Sequence, residues 1–126
     1  MDAVLKSLLE QVSDLHDIPT GAYNIRSNGH SEGRNSTQTI QIKGKTDGKS
    51  GIDIIVKANT KNEFVHIPAL ITEGGINDLV YNDFYIGENA DVTIVAGCGV
   101  HNCSDEASMH EGIHRFFLGK NAKVKY

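Results

Sequence analysis

The stretches DFYIGENADVTI (residues 83–94) and RFFLGKNAKVKY (residues 115–126) align without a gap, both fitting F-[FY]-[IL]-G-x-N-A-x-V-x-[IY] at an offset of 32 residues. A weaker third copy, DIIVKANTKNEF (residues 53–64), precedes the first at an offset of 30. Self-similarity at such a period marks units that stack, each burying an apolar face that it cannot bury alone. Each copy reads as an apolar strand, a Gly/Asn corner and a second strand. Rungs of a right-handed parallel β-helix satisfy that pattern; two similar hairpins in a β-sandwich or jelly roll are the competing arrangement.

Outward from the repeat, the chain changes character. Val4, Leu5, Leu8, Leu9, Val12 and Leu15 recur at helical spacing and Pro19 closes the run, so residues 2–16 are predicted to form one amphipathic helix within an N-terminal segment of residues 1–20. From Ala22 onward short alternating runs such as TIQIKG, GIDIIVKA and DVTIVAG are separated by Gly, Asn and Asp clusters, the pattern of strands and turns. The sequence IRSNGHSEGRNST reads as a polar loop within the same domain. The expectation is a mainly β chain with one N-terminal helix and a core over residues 21–126. That core ends on KVKY with a rung half-built, as though cut short at its C-terminal end.

Composition excludes several functions. A net charge of -4 in 126 residues, with no basic run, offers no footprint for nucleic acid or an anionic membrane. Charges interrupt the N-terminal apolar run too often for a signal peptide or membrane span. A cytoplasmic setting follows, with Cys98 and Cys103 reduced.

Residues His110-Glu111-Gly112-Ile113-His114 spell the zinc-protease pattern H-E-x-x-H. The pattern carries its meaning on a helix, where positions i and i+4 share a face and two imidazoles converge on one ion. The repeat lays Ile113, His114 and Arg115 over Tyr81, Asn82 and Asp83, so HEGIH falls on a strand or its lead-in, where convergence of the two imidazoles is not expected. Gly112 would cost a helix about 1 kcal/mol relative to Ala, and no third zinc ligand follows. IGENAD and LGKNAK fit the hexad of left-handed β-helix acyltransferases, but those hexads run consecutively and these stand alone.

The segment VTIVAGCGVHNCSDEASMHEGIHRFFLGKNAKVKY (residues 92–126) resembles the SufB/SufD family of iron–sulfur cluster assembly scaffolds. The resemblance rests on Gly97-Cys98 after a strand, Met109-His110 in place of a Leu-His pair, and Asn121-Ala122-Lys123-Val124-Lys125-Tyr126 in place of G-A-x-[VI]-K-Y. Ala96 and Gly99 depart from the family's usual neighbours of that cysteine, and His101-Asn102-Cys103 is an addition. The resemblance implies a right-handed parallel β-helix, the N-terminal half of such a scaffold, and a non-enzymatic role. Its implied partners are an ATPase of the SufC type and a second SufB/SufD-like subunit or a homodimer, engaged through regions beyond this sequence. A transient iron–sulfur cluster would belong to the full assembly.

Such chemistry needs a thiolate that accepts sulfur and imidazole or thiolate groups that hold iron. By resemblance Cys98 is the sulfur acceptor; His101, Cys103, His110 and His114 are candidate metal ligands, with Asp105 and Glu111 nearby. The plainer reading places Cys98, which shares strand parity with Val92, Ile94 and Ala96, in the core as a small inert residue. Gly97 and Gly99 argue against that by relaxing the strand around the sulfur. His101, Cys103 and Asp105 read equally well as a solvated loop. His16, His30 and His66 cluster with nothing, and Asn82 and Asp83 are expected to shape a corner by bonding backbone. The rival function is a small cupin-like metal protein with a mononuclear His/Asp/Glu site, although no H-x-H spacing occurs.

Overall fold

Nine strands account for the architecture of the computed structural model, which describes residues 21–100 and 107–126. They are β1 (Ala22–Ser27), β2 (His30–Asn35), β3 (Ile40–Gly44), β4 (Gly51–Val56), β5 (Lys61–Ile71), β6 (Asn77–Ile86), β7 (Asp91–Val100), β8 (Met109–Leu118) and β9 (Lys123–Lys125). One sheet has the order β2-β1-β5-β7-β9 and the other β3-β4-β6-β8. The expected helix over residues 2–16 lies outside the described residues.

Both sheets are mixed, which corrects the expectation of a right-handed parallel β-helix: each sheet carries an antiparallel pair at one edge, and the described residues contain no helix. The cause is turn chemistry. In IRSNGHSEGRNST, Asn28 and Gly29 take φ of 49° and 89°, the left-handed pair that reverses a chain tightly between antiparallel strands. The segment read as a polar loop is therefore the β1–β2 hairpin, with Tyr23 opposite Asn35 and Ser27 opposite His30. A longer loop turns β3 into β4, with Gly48 at φ 85° and Asp47 Oδ1 accepting the Lys49 N–H at 3.0 Å.

The repeat copies lie in parallel register. Ile54 pairs Phe84 and Phe84 pairs Phe116 along β4, β6 and β8, while Val65 pairs Ile94 in β5 and β7, and Val92 pairs Val124 in β7 and β9. At the corners Asn59, Asn89 and Asn121 all adopt positive φ, between 60° and 66°, a conformation that Asn tolerates better than other residues with a Cβ. Their side chains form a ladder, Asn121 Nδ2 donating to Asn89 Oδ1 at 3.3 Å and Asn89 Nδ2 to Asn59 Oδ1 at 3.4 Å. The repeat's glycine has a separate cause. A Cβ on Gly87 would stand 2.5 Å from the Ala58 nitrogen, and one on Gly119 2.8 Å from the Glu88 nitrogen, so backbone passes where a side chain would be. The closeness lets Gly87 N–H reach Val56 O at 2.9 Å and Gly119 N–H reach Ile86 O at 2.8 Å.

Alternate residues of these strands face a core between the sheets, with Ile54, Phe84 and Val65 fully buried. On the other face of β6, Asp83 is buried as well. It does not shape a corner, as expected from sequence, but forms an ion-pair ladder: Lys45 Nζ donates to it at 2.6 Å and to Asp53 at 2.7 Å, and Arg115 binds both its oxygens at 2.7 Å. Hydrogen bonds from Arg115, then from Lys45, outweigh burial and hold the Asp83 carboxyl at about 2. Burial opposes the Lys45 charge, but Asp53 and Asp83 more than compensate and raise its pKa. No helix among the described residues is long and apolar enough to cross a membrane.

Candidate functional site

The inner face of β6 and β8 divides into two unlike halves. Toward the corners, Phe84 and Ile86 pair with Phe116 and Leu118; toward the strand starts, Asp78, Val80 and Asn82 pair with His110, Gly112 and His114. Strand alternation therefore aims His110, Gly112 and His114 at the interior and turns Glu111 outward, where it is exposed. HEGIH is a strand, as expected, and Glu111 stands on the wrong face to act as the general base of a zinc protease.

Each histidine is held through Nδ1. His110 Nδ1 lies 2.8 Å from Asp78 Oδ2. Asp78 in turn is clamped by Arg26, Nε donating to Oδ2 at 2.8 Å and Nη2 to Oδ1 at 2.7 Å, and Arg26 Nη2 also reaches Gly29 O and Ser50 Oγ. Burial works to raise the Asp78 pKa, but the hydrogen bonds from Arg26 and His110 win and lower it. The carboxylate is thus charged at neutral pH and fixes the orientation of the ring. His114 Nδ1 lies 3.1 Å from the Tyr126 hydroxyl; its ring stacks on Phe84 at 5.8 Å and meets Tyr126 edge-on at 5.5 Å. Desolvation, followed by the charge of His110, lowers the His114 pKa, so this imidazole is neutral near pH 7.

The Nε2 atoms lie nearer to each other than their spacing along a strand suggests. An ideal Cβ on Gly112 would lie 2.8 Å from His114 Nε2 and 3.8 Å from His110 Nε2. The two rings lean toward each other over the one residue between them on that face, and glycine supplies the room. Imidazoles four residues apart on a strand do approach here, because each is tilted by its Nδ1 partner.

Cys98 lies across from them. It continues the inward alternation of Val92 and Ile94 and pairs Ala69 in β5, as the core reading required, yet it is exposed. β9 pairs only with Asp91, Val92 and Thr93 of β7, so no strand among the described residues covers the β7 edge at Cys98. The thiol and the two histidines line one cavity of about 340 Å³ between the sheets, with Arg26, Gly112 and Tyr126 also on its wall. Partial desolvation, with the charge of Asp78 adding to it, raises the Cys98 pKa. The sulfur is therefore accessible but mainly protonated at neutral pH, and its reactivity depends on losing that proton.

The structure brings Cys98, His110 and His114 together. His101 and Cys103 lie outside the described residues. Asp78, Arg26 and Tyr126 were missed: an acid and a base buried at separate positions carry no local signal, and Tyr126 reads as one more strand residue. Among the described residues no three His, Cys, Asp or Glu side chains already form a metal-binding group. No family model, curated protein or solved structure matches the chain.

Proposed function

We propose that this chain is a scaffold component of iron–sulfur cluster assembly, of the SufB/SufD kind, which accepts sulfur at Cys98 in the cytoplasm and works with a SufC-like ATPase. The observation that carries the reading is the setting of Cys98: an exposed thiol on the wall of a cavity shared with two histidines. The reading rests on that setting and on the sequence resemblance, and not on the architecture the resemblance implied.

The sulfur step is a transfer without net redox change. The Cys98 thiolate attacks the terminal sulfur of a donor persulfide, R–S–SH; the donor's S–S bond breaks, RS⁻ leaves and takes a proton, and Cys98–S–SH remains. The raised thiol pKa leaves little thiolate at neutral pH, a fast but unfavourable pre-equilibrium, so uptake rises with pH through the neutral range. The test is anaerobic incubation of the full chain with a low-molecular-weight persulfide, followed by intact-mass measurement. The expected result is a gain of one sulfur atom that Cys98→Ser abolishes and Cys103→Ser does not. No uptake by the wild type, or undiminished uptake by a folded Cys98→Ser variant, would overturn the assignment.

A further inference from the structure

We infer that His110 and His114 form a two-imidazole seat for a divalent transition-metal ion of borderline softness, such as Fe²⁺ or Zn²⁺, which Cys98 completes from the facing sheet. This carries the reading above from sulfur to metal and depends on that reading only for the choice of iron as the physiological ion.

Two features of the geometry separate this pair from ordinary core histidines. The first is convergence. Both Nε2 atoms lie within 3.8 Å of a single point, the position an ideal Cβ would take on Gly112. Any residue with a side chain there would push His114 away, since that Cβ would sit 2.8 Å from its Nε2. The second is the state of the other nitrogen. A metal-ligating histidine characteristically gives its remaining ring N–H to a carboxylate, carbonyl or other acceptor, which sets the tautomer and the ring plane. His110 does so with Asp78 at 2.8 Å, and His114 has the Tyr126 hydroxyl at 3.1 Å. Asp78 is itself immobilised by both arms of Arg26, so the His110 ring is oriented through two successive contacts.

An imidazole that merely fills a core has no need of this arrangement. His66 illustrates the difference: its Nδ1 is buried with no partner, and it stacks on Phe64 at 6.2 Å. It is packed, not aimed. The ligand set also selects the ion. Two imidazoles with a thiolate favour Zn²⁺ and Fe²⁺ over the hard cations Mg²⁺ and Ca²⁺, which require oxygen. Among the described residues no three His, Cys, Asp or Glu side chains stand in metal-binding positions, so a third ligand has to move to reach an ion at the pair. Cys98, exposed and flanked by Gly97 and Gly99, is the part that closes on the metal and gives up its proton on doing so.

Anaerobic titration of the full chain with Co²⁺ alone tests the seat, because its d–d bands report geometry and its charge-transfer band reports thiolate. About one equivalent is expected to bind, shifting or broadening the ring proton signals of both His110 and His114. His110→Gln and His114→Gln should each weaken binding by more than about tenfold, and Tyr126→Phe by about tenfold, the low end of what loss of a supporting hydrogen bond costs. Gly112→Ala should weaken it as much as His114→Gln while retaining both ligands. Cys98→Ser should remove the charge-transfer band. Absence of Co²⁺ binding, binding undiminished in a folded His114→Gln variant, or perturbation of one ring alone in the wild type would overturn the seat. Should a variant fail to fold by circular dichroism, the wild-type ring signals decide. Persulfide uptake measured in chelator fails or succeeds independently of these outcomes, so the sulfur and metal assignments are separable.

Discussion

The two halves of β6 and β8 differ in what their stacked residues have in common. In the corner half, like lies on like: Phe84 on Phe116 with ring centroids 4.8 Å apart and planes at 8°, Tyr85 on Phe117 at 4.9 Å and 9°, Asn89 under Asn121. In the opposite half, Asp78 lies on His110, Val80 on Gly112 and Asn82 on His114. A stacking unit repeats where the demand is to fill space and satisfy backbone. It departs from its own repeat where side chains meet as complementary partners, acid to base or ring to void. The divergent half is the half that lines the cavity with Cys98.

That contrast predicts an unequal response to substitution. The largest effect belongs to Phe84→Ala, which empties a fully buried ring position under Phe116 and His114 and should cost about 3–5 kcal/mol in urea unfolding. His114→Gln, in the other half, should cost about 1 kcal/mol or less while weakening the proposed metal binding. Equal losses from the two would erase the distinction between a packing half and a functional half.

Next comes the ion ladder on the outer face. Asp83→Asn leaves Lys45 with Asp53 but deprives Arg115 of its carboxylate, and should cost about 1–3 kcal/mol. The pH dependence has a definite sign. The folded pKa of Asp83, about 2, lies below its ordinary value of 3.8, so its stabilisation is complete above about pH 4 and is lost as pH falls toward 2. Stability of the wild type should decline across that window by more than that of Asp83→Asn, as measured by urea midpoints at each pH.

The smallest effect sharpens the account of the corners. Asn89→Ala keeps the packing but forces an alanine into φ near 60° and cuts the amide ladder, for a loss of about 1 kcal/mol; Asn89→Gly should lose less, since glycine takes that conformation freely. Equal losses from the two would mean that the ladder, rather than backbone conformation, dictates asparagine at this place.

Several elements are legible in the sequence alone. The alternation of TIQIKG, GIDIIVKA and DVTIVAG identified β3, β4 and β7, and the offset of 32 residues placed Phe116 over Phe84. The hairpin at Asn28-Gly29 was also written in plain turn chemistry, but a run of polar residues with no alternation concealed it. β2 is exposed at nearly every position, so it has no buried face to leave an apolar signal, and the parallel β-helix expectation failed at that point. At the candidate site, Cys98 is named by the family resemblance, and His110 and His114 by that resemblance and the HEGIH motif. Their relation is given by neither, because the tilt of His110 comes from Asp78, and the position of Asp78 comes from Arg26, 52 residues earlier in the chain.

What the sequence determined by itself was everything periodic: the strands that alternate, which of their faces are apolar, and that successive copies lie in register, since these follow from alternation and from residues whose backbone preferences are local. What only the tertiary structure decided was whether a residue on the inner face is core or site. Cys98 and Ile94 share one parity, and His114 and Phe116 share another. They are told apart by which strand covers them and by which long-range partner holds them, and burial and ion pairing of that kind depend on distances in space that a one-dimensional pattern does not contain.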